Sequence, residues 1–185
     1  MARGKVETKL TVRDMTYIAV FAAVIAICAW ITVPAGDVPF TLQTFGVFAA
    51  VGVLGGKRGT LSVLLYMLLG AVGLPVFSGF GGGLGILLGA TGGYIAGFLL
   101  SALVMWAAEL VWGRSAAALG AGMVLGLIAC YAMGTAWYMV AYAATTGPVG
   151  ALVVLGRCVL PFVVPDLCKI ALALFLTRRV RRFAH

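Results

Sequence analysis

An aspartate and a lysine stand inside a long apolar stretch, RCVLPFVVPDLCKIALALFLT, from Arg157 to Thr177. At a bilayer centre each charge costs from about 3 to more than 10 kcal/mol. Asp166 and Lys169 are spaced i and i+3, so on a helix they share a face and partly neutralise each other. A carboxylate there accepts N–H donors, an ammonium neutralises an anion, and together they could act as acid and base. Pro165 lacks an N–H and suits a first helical turn. The spacing predicts a helix beginning near Pro161 or Pro165, with Asp166 in an early turn. That turn also exposes backbone N–H groups, a favourable place for an anion. The plain alternative is a salt bridge that only fixes helix packing.

The elements that position these charges must be membrane helices. The chain of 185 residues is 63% hydrophobic and 10% charged, with a mean hydropathy of +1.14. Apolar runs near 20 residues recur, the length that crosses about 30 Å of hydrocarbon. We predict an all-α integral membrane protein, one domain over residues 1–185, with six transmembrane spans. They are about Met15–Val33, Phe40–Gly55, Thr60–Phe77, Gly92–Trp112, Leu119–Ala141 and Pro161–Thr177, with a short interfacial piece over Val149–Val159 carrying Arg157. Val-Pro-Ala before Gly36 looks like a signal cleavage site. The first apolar run is longer than a signal peptide's ~7–15 residues, so the span is read as retained.

Other residues could line a site. Gln43 and Thr44 open the second span, and Gln43 could hydrogen-bond a ligand amide or simply sit at the interface. Eight of the fifteen residues from Gly79 to Gly93 are glycine. Such a segment is either an outer loop or one folded back over a site, where Gly81, Gly82 and Gly83 let a ligand approach the backbone. Thr91 and Tyr94 open the fourth span. In the first span Ala19, Ala22, Ala23, Ala26 and Ala29 recur at helical spacing, a smooth strip for close approach of another helix. That helix belongs either to this bundle or to a separate subunit. Trp137, Tyr138 and Tyr142 read as an interfacial aromatic set, and Glu109 as a partner of Arg114 or of another interfacial base.

Net charge is +8, but the basic residues flank apolar spans and form no single patch, which argues against nucleic acid. Four fall before the first span, two between the second and third, one between the fourth and fifth, and four in the tail, eleven of the thirteen in all. Arg157 and Lys169 are the exceptions. By the positive-inside rule both termini are cytoplasmic, and the glycine-rich loop, Gln43 and Arg157 lie outside. No phosphate-binding loop is present, because Lys57 is followed by Arg58. The one histidine, His185, is terminal, which excludes an intramembrane Ser–His pair. The four cysteines have no metal-ligand spacing, so we expect no metal and no cofactor. Binding or transport stands ahead of an enzyme.

Three motifs carry a family resemblance: VPFTLQTF at Val38–Phe45, LLGATGGYIAGF at Leu87–Phe98, and PFVVPDLCK at Pro161–Lys169. Together with the alanine strip, they make the chain resemble the BioY biotin transporters, substrate-binding (S) components of energy-coupling factor (ECF) systems. Ala90 stands where many relatives carry proline. The resemblance implies an S-component-like six-helix bundle in the cell membrane that captures biotin from outside. Its usual partners would be a membrane coupling protein and two ATPases, although some relatives lack a dedicated module. In such a site Asp166 accepts ureido N–H bonds, and Lys169, or else Arg157, neutralises the carboxylate. Because the two are one turn apart, the alternative is that one orients the other. Gly81–Gly83 admit the ligand to the backbone, Tyr94 offers a flat surface, and Thr91 and Gln43 add hydrogen bonds. Ala19, Ala23 and Ala26 would form the docking face. The competing readings are an S component for another small vitamin, an intramembrane enzyme using Asp166 and Lys169, and a purely structural subunit.

Overall fold

The computed structural model describes residues 10–34, 38–145, 147 and 150–183, with side chains omitted at 144, 145 and 181–183. Arg3, Lys5, Lys9, Asp37 and His185, and the side chains of Arg181 and Arg182, lie outside the described residues. Helix α1 spans Val12–Trp30 and opens with a reciprocal cap. Asp14 N–H donates to Thr11 Oγ1 at 3.2 Å, and Thr11 N–H donates to Asp14 Oδ2 at 3.0 Å. This satisfies two backbone donors that a helix start leaves free. Asp14 also pairs with Arg58 at 2.9 Å, joining the start of α1 to the start of α3 (Gly56–Ala71).

After α1 the chain forms a two-stranded antiparallel ribbon, β1 (Thr32–Val33) against β2 (Phe40–Thr41), with Thr32 opposite Thr41. Helix α2, Gln43–Leu54, follows at once. It packs on α1, α3, α5 (Gly92–Trp112) and α8 (Leu160–Phe183). A helix contacted on so many sides must be apolar nearly all round, which is why Val47, Phe48, Ala49, Ala50 and Val51 are all buried. Gly55, at φ +91°, makes the turn from α2 into α3, a conformation that costs a side chain with a Cβ free energy. A 3₁₀ turn, Ser78–Phe80, and the short helix α4, Leu84–Leu88, lead to α5. Helix α6, Ala116–Thr145, packs most extensively along α5. Helix α7, Ala151–Cys158, precedes α8.

Four of these helices, α1, α5, α6 and α8, are long and apolar enough to cross a membrane. At 12 and 16 residues, α2 and α3 are shorter than the six-span reading expected. The second span gives its first residues to β2, and the third starts earlier than read, with Lys57 and Arg58 in the first turn of α3. The break before α8 falls at Val159, and α8 begins beside Pro161. Pro165 therefore lies inside the helix and Asp166 in its second turn, a little deeper than expected.

The alanine strip is split between two faces. Ala22, Ala26 and Ala29 are buried in the core, whereas Ala19 and Ala23 are exposed. Ala26 is thus an internal packing residue of the main core, and α2 crosses α1 closely at Ile25 and Cys28. A Cβ on Gly46 would come within 3.1 Å of Ile25 Cα. The aromatic set is likewise turned inward. Tyr138 is buried and stacks on Tyr142, while Trp137 Nε1 donates to Gly89 O at 2.9 Å. Glu109 meets Arg114 as expected, at 3.5 Å, and also accepts Gly56 N–H at 2.9 Å.

The ring of Phe77 occupies the place where a side chain on Gly70 would go, and Gly85 faces open space. Gly70→Val should therefore lower stability by about 1–3 kcal/mol through overpacking, seen as a reduced melting temperature in detergent. Gly85→Ala should leave that temperature unchanged.

Candidate functional site

Asp166 and Lys169 project from α8 towards the start of α2 and the ribbon. Both side chains are about 95% buried, and Lys169 Nζ lies 2.6 Å from Asp166 Oδ1. Each charge has further partners. Thr44 Oγ1 donates to Asp166 Oδ1 at 2.9 Å, and Tyr131 Oη, from α6, donates to Oδ2 at 2.5 Å. Lys169 Nζ donates to Thr41 O at 2.6 Å and sits 4.0 Å from the centre of the Phe40 ring, a cation–π contact. A buried ion pair is tolerable only when its remaining donors and lone pairs are served in this way. Helices α2, α6 and α8 and strand β2 all contribute.

The pair forms one polar end of a cavity of about 280 Å³, near the lower limit of about 300 Å³ for small-molecule sites. The remaining wall is mostly apolar, with Phe77, Ile95, Phe98 and Phe162 among its residues. Gln43, Thr91 and Tyr94 also line it. Gln43 is buried and held on both sides: its Oε1 accepts from Thr41 Oγ1 at 2.9 Å, and its Nε2 donates to Tyr66 Oη at 2.6 Å. Tyr94 packs its ring against Gly134, where a side chain would collide with it. The Tyr94 hydroxyl lies beside Thr135 and Cys158.

Gly81, Gly82 and Gly83 are not among the lining residues. They close the loop on itself instead. Phe77 N–H donates to Gly81 O at 2.9 Å and Gly83 N–H to Gly70 O at 2.7 Å, while Gly82 lies against the Leu74 and Gly73 carbonyls. Their segment reaches the cavity through Ser78 and Ile86. Arg157 is exposed and also does not line the cavity, although its neighbour Cys158 does. Among the described residues no cluster could hold a metal ion.

Sequence reasoning missed Tyr131 and Thr41 as partners of the charged pair and gave Thr44 no role. TLQT at 41–44 is a polar cluster in an apolar chain and could have signalled two of them. Tyr131 carries no such signal, because its partner is 35 positions away.

Residues 4–185 match the BioY family. The chain belongs to the BioY family. Its relatives include the protein named biotin transporter BioY of Thermotoga maritima, 42% identical over 85% of this chain and 79% of that one. The probable biotin transporter BioY of Pyrococcus horikoshii is 38% identical over 91% and 96%. The crystal structure of the S-component for biotin from an ECF-type ABC transporter superposes with a TM-score of 0.80 at 29% identity, covering 92% of both chains.

In this BioY-family site, removing either charge strands the other. Asp166→Asn or Lys169→Met alone should destabilise the protein by about 3–5 kcal/mol. The double variant should lose less than the two single losses summed. Thermal unfolding of all four proteins in one detergent checks the cycle.

Proposed function

We propose that this chain captures biotin outside the cell and carries it inward as the S component of an ECF transporter. The observation that carries this reading is the buried Asp166–Lys169 pair at the end of an apolar cavity, in a member of the BioY family. Biotin has an apolar bicycle, a ureido ring with two N–H donors and a carbonyl acceptor, and a carboxylate tail. With Nζ and Oδ1 only 2.6 Å apart, one ligand group can meet both charges. The neutral ureido ring suits them: an N–H donates to Asp166, and the carbonyl accepts from Lys169. A carboxylate brought to Lys169 would lie against Asp166, where like charges repel in a medium that screens poorly. The tail is therefore assigned to the cavity mouth. Thr91 and Gln43 add polar contacts, and Tyr94 packs its ring on the bicycle. Gly81, Gly82 and Gly83 act indirectly, by holding Ile86 and Ser78 at the wall.

The single domain crosses the membrane six times, with α2 and α3 as short spans. Both termini are cytoplasmic, which the positions of Arg13, Lys57, Arg58, Arg114, Arg178 and Arg179 support. A coupling protein and two ATPases supply the energy. Its docking face on α1 is the exposed pair Ala19 and Ala23, without Ala26.

Calorimetric titration of the detergent-purified protein with biotin tests the binding reading. Asp166→Asn should weaken binding about tenfold or more, the loss of a hydrogen bond to a charged group, about 1.5–3 kcal/mol. Unchanged affinity in the folded variant would reduce the pair to a packing device. Binding of another vitamin in place of biotin would favour the alternative S-component reading.

Ala19→Trp and Ala23→Trp test the docking face. Both side chains already point out of the bundle, so biotin binding should persist while co-purification with the coupling protein and uptake are lost. Retained co-purification would assign this face to lipid.

A further inference from the structure

The connection between α3 and α5 is built for hydrocarbon. No Asp, Glu, Lys or Arg lies between Arg58 and Glu109. Within the connection Phe80 is 64% exposed, Leu84 61% and Leu88 68%, and Val72 and Leu74 are exposed beside them. Large apolar side chains gathered in this way on a surface mark a contact. A water-facing loop would carry polar residues in their place.

Helix length puts this connection at membrane depth. Lys57 and Arg58 in the first turn of α3 mark the inner boundary. The 16 residues of α3 rise about 24 Å at about 1.5 Å each, and the hydrocarbon core is about 30 Å thick. Ala71 thus falls short of the outer boundary by several ångströms even if α3 stands upright, and by more if it tilts.

Irregular backbone at that depth must have its polar groups satisfied within the protein. Part of this segment's backbone is served in this way. Leu74 N–H donates to Leu69 O at 3.1 Å, Phe77 N–H to Gly81 O at 2.9 Å, and Gly83 N–H to Gly70 O at 2.7 Å. Two indoles cover carbonyls from outside the segment. Trp30 Nε1 donates to Pro75 O at 2.8 Å, and Trp137 Nε1 to Gly89 O at 2.9 Å. Trp30 also stacks on Phe80, with ring centres 5.2 Å apart.

We infer that the segment from Val72 to Thr91 is immersed in the outer leaflet, with Phe80, Leu84 and Leu88 against phospholipid acyl chains. Helix α4 is then a one-turn partition. Its Ile86 lines the ligand cavity while Leu84 and Leu88 face lipid. The depth argument rests on the topology proposed above, with Lys57 inside.

Site-directed spin labelling tests it. Leu84→Cys and Leu88→Cys are made in a background lacking Cys28, Cys130, Cys158 and Cys168, labelled with nitroxide and reconstituted in phosphatidylcholine vesicles. Arg157→Cys, exposed on the interfacial helix α7, serves as the outer reference. The ratio of collisions with oxygen to collisions with a water-soluble nickel chelate should be severalfold higher at 84 and 88 than at 157. Ratios equal to that at 157 would place the segment at the interface or in water and overturn the inference. Low collision with both reagents would also overturn it, by showing that protein covers the face. Lys57→Cys, probed with an impermeant maleimide, separates the two failures. Outside labelling there would refute the topology, while the collision ratios still report whether the loop meets lipid. Biotin titration of the protein with its native cysteines reports independently on the binding reading.

Discussion

The ion pair of Asp166 and Lys169 is the constraint around which the bundle is arranged. Two charges in an apolar interior are tolerated only if each finds its full set of partners. Asp166 takes Thr44, Tyr131 and Lys169, and Lys169 takes Asp166, Thr41 O and the face of Phe40. These partners come from strand β2 and helices α2, α6 and α8. Satisfying the pair therefore ties the ribbon to three helices at one level of the bundle. The same level is where the apolar cavity acquires its polar end. If the proposed biotin site is this cavity, stability and recognition share one set of contacts, and little ordering would remain to be done on binding.

The opposite end of the bundle holds itself together by surface ion pairs and helix caps. Asp14 joins the first turn of α1 to Arg58 of α3, and Glu109 accepts the first N–H of α3 while meeting Arg114. Arg114 also donates to Gly52 O at the end of α2. The tight α2–α3 turn is thus gripped from both sides, with Gly55 supplying the backbone angle. These charges are less confined than the central pair: the Arg58 and Arg114 side chains are nearly half exposed. Between the two levels, small residues do the work. Gly97 lets α5 approach the backbone of α6 at Cys130, and Gly134 leaves room for the Tyr94 ring. Dispersion over such close contacts is a main source of helix association in lipid, where no hydrophobic force separates one apolar surface from another.

The amino-acid sequence by itself determined the class of protein, the positions of most helices and the identity of the charged pair. Those are properties of composition, period and cost: apolar runs of spanning length have few alternative folds, and a buried charge stands out in any apolar run. The family was legible too, in three motifs. What only the tertiary structure decided depends on contacts between distant residues. Helical spacing alone could not say that Ala26 faces the core while Ala23 faces outward, because both faces of α1 carry alanines. The glycines at 81–83 read as a backbone open to a ligand, yet they pack against Gly70, Gly73 and Leu74. Conformational freedom says that a glycine is needed and not what approaches it. Tyr131 was invisible for the plainest reason. One tyrosine in an apolar helix carries no period, and its meaning arises only when folding sets its hydroxyl 2.5 Å from Asp166.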